Sequence, residues 1–131
     1  LIRQATLSDI TRMVEMGRAN YQAVGGGAEY DPEAAARFLH HVILPNGAAF
    51  LSGGGMIGGV LCPRWHAPTI TEAVEMMWFS SDGSGFRLLG RFCEWARSMR
   101  AHPVITTAQD IPAAVLSRYG LARAETMLRG V

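Results

Sequence analysis

The sequence predicts one mixed α/β domain, an α+β arrangement with a single sheet and helices on both faces. Three observations carry that reading. The chain has 131 residues, the size of one domain and enough to bury a core without staples. Strand-like runs and helix-like apolar stripes follow one another in the order β-α-α-β-β-β-α-β-α-β. A strand, a helix and a next strand imply a parallel pair, whereas strands joined by tight turns imply antiparallel ones.

Leu1 to Ala5 reads as the first strand, and Thr6, Ser8 and Asp9 offer caps for the helix after it. Ile10, Met13, Val14, Gly17 and Tyr21 recur at helical spacing until Gly25-Gly26-Gly27 breaks the pattern. Asp31-Pro32-Glu33 opens a second helix, with Asp as cap and Pro in the first turn. Its stripe is Ala35, Phe38, Leu39, Val42 and Ile43, and Pro45-Asn46-Gly47 ends it. Ala48 to Ser52 and Met56 to Cys62 form a hairpin about Gly53-Gly54, and Pro63 to Thr71 is a connection. Ala73 to Phe79 is the next strand. The helix that follows buries Leu88, Leu89, Phe92, Trp95, Ala96 and Met99, and turns Arg87, Arg91, Glu94, Arg97 and Ser98 outward. Val104 to Ala108 is a short buried strand, with Asp110 the expected cap of the next helix. Ile111-Pro112 opens that helix, Gly120 closes it, and Glu125 to Leu128 forms a last edge strand.

Composition narrows the function classes. A formal net charge of +1 makes no case for nucleic acid. All twelve cationic residues are Arg, which suits bidentate phosphate contact but reads first as compositional bias. Cys62 and Cys93 are too few for a disulfide framework and are expected as buried, reduced thiols in a cytoplasmic protein. No apolar run reaches membrane-helix length and no leader pattern is visible, so no membrane partner is expected. His40 and His41 are adjacent on a helix and should point apart, a poor metal pair. No Cys/His spacing suggests zinc, so no metal is expected.

The segment from Glu72 to Leu89 is the most informative. A strand runs through Ser80 into Ser81-Asp82-Gly83-Ser84-Gly85 and then into a helix. Free backbone N–H groups at a helix start, together with the helix dipole, favour an anion such as a phosphate. Glycines let the backbone approach it closely. The Gly-x-Gly alone is a short motif; its place between strand and helix gives it weight.

The ordered set of motifs resembles the GCN5-related N-acetyltransferases, the GNAT superfamily, over the whole of residues 1–131. Ile2-Arg3-Gln4-Ala5-Thr6 and Ser8-Asp9-Ile10 resemble that family's first strand and helix start. Glu75-Met76-Met77-Trp78-Phe79-Ser80 resembles its fourth strand. Gly83-Ser84-Gly85-Phe86-Arg87 resembles the end of its pyrophosphate loop. Tyr119-Gly120-Leu121 resembles its Leu-Gly-Phe turn. The resemblance implies a mostly antiparallel sheet with a splayed pair of fourth and fifth strands. It also implies acetyl-CoA as co-substrate, a small-molecule or peptide amine as acceptor, and dimers as a common state.

Residue by residue, the resemblance places the pantetheine arm on the backbone of Trp78, Phe79 and Ser80. It places the pyrophosphate on Gly83, Ser84, Gly85 and Phe86, with Arg87 or Arg91 in reach. Glu75 is the candidate general base and Glu72 the alternate; an apolar surround suits a carboxylate to that work. The sequence departs from the pattern in three places. The signature's Arg/Gln position falls on Ser80 or Ser81 in a shortened loop, where the charge of Asp82 repels phosphate; the family's frequent acid Tyr is replaced by Leu116, with Tyr119 out of register; and the chain is short, so minimal acceptor loops are expected. These departures carry a second reading, a degenerate domain that binds CoA weakly or serves as an interaction module. Trp65, Tyr21 and Tyr30 are read as packing or acceptor-lining groups.

Overall fold

Alternation along the second strand decides how the layers form. In a computed structural model of the chain, which describes residues 1–24, 29–106 and 110–124, Ala48 and Phe50 point to one face of the sheet and Ala49 and Leu51 to the other. All four are buried, so this strand is covered on both sides.

The strands are β1 (Arg3–Gln4), β2 (Gly47–Leu51), β3 (Gly55–Arg64), β4 (Ala67–Ser80) and β5 (His102–Val104), in that order across the sheet. The β2–β3 and β3–β4 pairings are antiparallel and β4–β5 is parallel, as the connections predict; β1–β2 is antiparallel although helices join those two strands. Helices α1 (Ile10–Val24) and α2 (Pro32–Phe38) cover one face. There Met13, Val14, Leu39 and Ile43 pack on Ala49, Leu51 and Met56. The chain leaves α2 through a π-helical turn, Leu39–Ile43, and a last turn α3, Leu44–Asn46. Helices α4 (Gly85–Ser98) and α5 (Ala113–Arg118) cover the other face. Leu88, Leu89, Phe92, Cys93, Trp95 and Ala96 of α4 pack there on Phe50, Ile57 and Ala73.

Local chemistry fixes the element ends. Asp9 accepts both guanidinium nitrogens of Arg3, at 2.7 and 2.8 Å, and the Thr6 amide at 2.9 Å, which closes the turn into α1. The guanidinium and that amide hold its carboxyl well below the usual range. Asp31 caps α2 by accepting the amides of Glu33 and Ala34. Gly120, at φ +67°, ends α5. The Leu121 amide reaches back to the Leu116 carbonyl at 2.8 Å, a left-handed cap suited to glycine.

Five expectations need correction. Residues 63–71 are not a plain connection: β3 runs to Arg64 and β4 starts at Ala67 after a turn at Trp65-His66, with Pro68, Thr69 and Ile70 left out of the pairing at an irregularity. Met99 is 49% exposed, because α4 ends at Ser98 and the chain turns away at Arg100, φ +56°. Asp110 caps nothing; Pro112 precedes α5, which starts at Ala113. The strand after α4 is His102–Val104, earlier than expected. The His40 and His41 rings meet, Nδ1 to Nε2 at 3.2 Å, because the wider π turn rotates less per residue than an α-helix. The glycine break at 25–27, residues 107 and 108, and the last strand at 125–128 with its pairing edge lie outside the described residues.

Candidate active site

The parallel ladder between β4 and β5 is short, and its shortness makes an opening. Among the described residues Glu72–His102, Ala73–Pro103 and Val74–Val104 pair. Pro103 brings no N–H to the ladder. On its other side β4 carries a bulge: Gly58 pairs with Met77 but Gly59 with Glu75, so Met76 is the extra residue. A bulge bends and twists its strand. Beyond Val74, therefore, β4 continues to Ser80 beside β3 with no β5 ladder partner among the described residues.

Glu75 sits where the strands part, and its side chain is wholly buried. The Thr106 amide donates to its carboxylate at 3.2 Å, and the Thr106 hydroxyl donates to its backbone carbonyl at 2.8 Å. A side chain thus replaces ladder bonds at the point of divergence. Glu72, the alternate base, is engaged by Arg64 at 3.2 Å across the hairpin.

The loop after β4 turns on Gly83, at φ +78°, where glycine is favoured. Ser84 precedes α4, and Gly85 is its first residue. The Trp78 indole donates to the Gly85 carbonyl at 3.0 Å, fastening the strand to the helix start. Asp82 folds back into this corner. It accepts from the amides of Gly54 at 2.8 Å and Ser84 at 3.1 Å. It also accepts from the hydroxyls of Ser52 at 3.2 Å, Ser80 at 3.1 Å and Ser84. The Ser84 hydroxyl foremost, with those amides, holds its carboxyl well below the usual range. The Ser84 amide is therefore taken. The amides of Gly83, Gly85, Phe86 and Arg87 have no acceptor among the described residues.

No protein-family model matches the chain, and no curated protein matches it. Solved structures do match. A predicted acetyltransferase from Clostridium acetobutylicum, crystallised with acetyl-CoA, superposes with TM-score 0.75 at 15% identity, over 100% of this chain and 95% of that one. A ribosomal-protein-alanine N-acetyltransferase from Brucella melitensis biovar Abortus 2308 matches with TM-score 0.68 at 14% identity, over 100% and 96%. An aminoglycoside acetyltransferase from an uncultured soil metagenomic sample, in complex with sisomicin, matches with TM-score 0.66 at 13% identity, over 100% and 93%. The chain has the GNAT fold. The mostly antiparallel sheet and the splayed β4–β5 pair expected from the motifs are both present.

In this GNAT fold the remaining expected residues divide. Trp78, Phe79 and Ser80 lie on the stretch of β4 that β5 leaves unpaired. Phe86 is 43% exposed, its ring 6.4 Å from that of Trp78. Arg87 is exposed in the first turn of α4. Arg91 lies with its guanidinium 4.5 Å from the centre of the buried Phe50 ring. Leu116 packs against the α4 core. So does Tyr119, whose ring fills the space beside Gly90, where a Cβ would come within 2.6 Å of it. Tyr30 donates to the Val14 carbonyl at 2.8 Å, and its ring lies 5.9 Å from that of Tyr21 at a tilt of 42°, a packing role. Trp65 is 90% exposed at the hairpin tip. Both cysteines are free, and burial pushes the Cys93 thiol up to about 11, which argues against a nucleophile. Among the described residues no cluster of three His, Cys, Asp or Glu could hold a metal, and no helix is long and apolar enough to cross a membrane.

Sequence reasoning missed Thr106 and Ser52. Thr106 reads as one residue of the expected strand Val104 to Ala108, with nothing to single it out. Ser52 had only its place before the Gly53-Gly54 turn.

Proposed function

We propose that this chain is an acetyltransferase that moves the acetyl group of acetyl-CoA to a primary amine in a ternary complex. The observation that carries the proposal is the unpaired stretch of β4 running into the free amides of α4's first turn. An extended amide arm pairs with the one, and an anion sits on the other. Likeness of fold to acetyltransferases, one of them crystallised with acetyl-CoA, supports it.

In this reading the pantetheine arm lies along Trp78, Phe79 and Ser80. The diphosphate takes the amides of Gly83, Gly85 and Phe86, with Ser84 joining when Asp82 turns away and Arg87 alongside. Glu75 takes a proton from the substrate ammonium. The amine nitrogen attacks the thioester carbonyl, the C–S bond breaks with its electron pair going to sulfur, and the thiolate takes up the second proton that the nitrogen loses as the amide forms. A backbone N–H of β4 meets the oxyanion. The acceptor is a small-molecule or peptide amine, the class to which sisomicin belongs for one structural neighbour. The working compartment is the cytoplasm, and a homodimer is the proposed assembly.

A second reading, a catalytically degenerate CoA-binding or interaction module, is favoured by one observation, the closure of the loop by Asp82. Calorimetric titration with acetyl-CoA, beside Gly85→Glu, separates the two. A Cβ at Gly85 meets only ordinary contacts, Ser80 Cβ at 3.5 Å being nearest, so the backbone there has room for a side chain to start, and thermal unfolding checks that the variant is folded. Micromolar binding that Gly85→Glu abolishes supports the transferase. No binding of acetyl-CoA at millimolar concentration, by the wild type or by Asp82→Asn, sinks it.

A further inference from the structure

The corner at the start of α4 already holds an anion, and the chain supplies it. Five donors from three segments converge on the Asp82 carboxylate: Ser52 Oγ, the Gly54 amide, Ser80 Oγ, and the amide and hydroxyl of Ser84. Ser52 and Ser84 are themselves buried, with their hydroxyl oxygens 2.7 Å apart, so the corner is closely packed. None of the four ion pairs among the described residues involves Asp82. Arg12 spends its guanidinium on the carbonyls of Ser52 and Gly53, both at 2.7 Å, and Arg91 lies over Phe50.

A diphosphate brought to the neighbouring amides meets this charge at close range. Like charges a few ångströms apart near a protein surface repel by an amount that outweighs one hydrogen bond. The β4 edge has no such conflict, because pantetheine is uncharged. The two halves of the site thus ask for different donors.

Resting on the transferase reading, we infer that Asp82 sets donor specificity: it disfavours the diphosphate of CoA and favours acyl thioesters of pantetheine that carry one phosphate or none. The single-phosphate form exists in two sources, free 4′-phosphopantetheine and the same arm esterified to a serine of a carrier domain. Both present the same arm and one phosphorus centre.

The test is calorimetric titration of the wild-type protein, Asp82→Asn and Asp82→Glu with four probes: acetyl-CoA, acetyl-4′-phosphopantetheine, acetyl-pantetheine, and an acetylated carrier domain. Thermal unfolding of each variant is measured alongside. For the wild type, acetyl-4′-phosphopantetheine should bind at least as tightly as acetyl-CoA. Asp82→Asn should tighten acetyl-CoA by about tenfold, the scale of one like-charge contact, and leave acetyl-pantetheine unchanged. Asp82→Glu keeps the charge and should stay close to wild type. If the carrier-borne arm binds more tightly than the free one, the source is the carrier; equal binding assigns the free thioester, and both uphold the single-phosphate class. The inference is overturned if folded Asp82→Asn binds acetyl-CoA no better than wild type, or if wild type prefers acetyl-CoA to acetyl-4′-phosphopantetheine by tenfold. In those cases thioester binding itself leaves the transferase reading standing. If no thioester binds any of the three proteins, that reading falls and takes the inference with it.

Discussion

The β4–β5 opening and the loop at α4 lie end to end, yet they are built in opposite ways. The opening is made by backbone. A proline in β5, a bulge at Met76 and a ladder of three pairs leave the strand edge past Val74 without a ladder partner among the described residues. The loop is made by side chains. Gly83 supplies the turn, but the hydroxyls of Ser52, Ser80 and Ser84 and the carboxylate of Asp82 decide what the helix start can accept. A feature written in backbone survives most substitutions and breaks only where strands touch. A feature written in side chains can be rewritten by one residue.

The sharpest way to break the opening is at Gly59. A Cβ there would lie 2.2 Å from the Val74 carbonyl oxygen and 2.9 Å from the Phe92 ring. Neither can move without parting β3 from β4 at the bulge. Gly59→Ala should therefore cost about 3 kcal/mol or more, the range of a forced backbone shift in a packed core. Urea unfolding measures it. A loss below about 1 kcal/mol would mean that the strands cross less tightly there, and the backbone account of the opening would fail.

Glu75 tests the same region with a smaller expected effect. Glu75→Leu leaves the Thr106 amide without its acceptor and should cost about 2 kcal/mol. Glu75→Gln keeps an acceptor oxygen and should stay within about 1 kcal/mol of wild type. In the transferase reading Glu75→Gln also loses roughly 100-fold in kcat, the lower end of what a general base supplies. A Gln variant with full activity would leave Glu75 as the fastener of the strands and no more.

The same division explains what could be read from the sequence. Strand order, the parallel crossover and the α4 stripe follow from periodicity and from Gly and Pro placement, which act locally. Asp31 and Gly120 were legible for the same reason: a cap needs only its neighbours. The hairpin at residues 63–71 was misread because Pro63 and Pro68 look like breakers, yet β3 and β4 continue through them. The loop was half legible. Gly83 and Gly85 announced it, and Asp82 was seen as a charge out of place. That Asp82 is held by Ser52 and Gly54, some thirty residues earlier, depends on how the β2–β3 turn meets the end of β4. No local pattern encodes that meeting. Thr106 was hidden similarly, since its partner is 31 residues away.

Acid titration gives the smallest effect and tests the loop directly. The Asp82 carboxyl titrates below its ordinary range because the Ser84 hydroxyl and the amides of Gly54 and Ser84 donate to the ionised form. Asp9 does so as well, through Arg3 and Thr6. For a depressed carboxyl the sign is fixed: both states are ionised above about pH 4, where the full stabilisation is present. Below that the unfolded chain takes up its proton first, and stability falls until the folded group protonates too. Asp82→Asn should therefore be less stable than wild type at pH 7 and lose less on acidification. The two melting curves should converge as pH drops from about 5 towards 2. Asp9→Asn should show the same convergence, independently of donor binding. A gap between wild type and Asp82→Asn that stays constant down to pH 2 would show that Asp82 supports the loop by shape rather than by charge. The carboxylate would then be no rival to a phosphate.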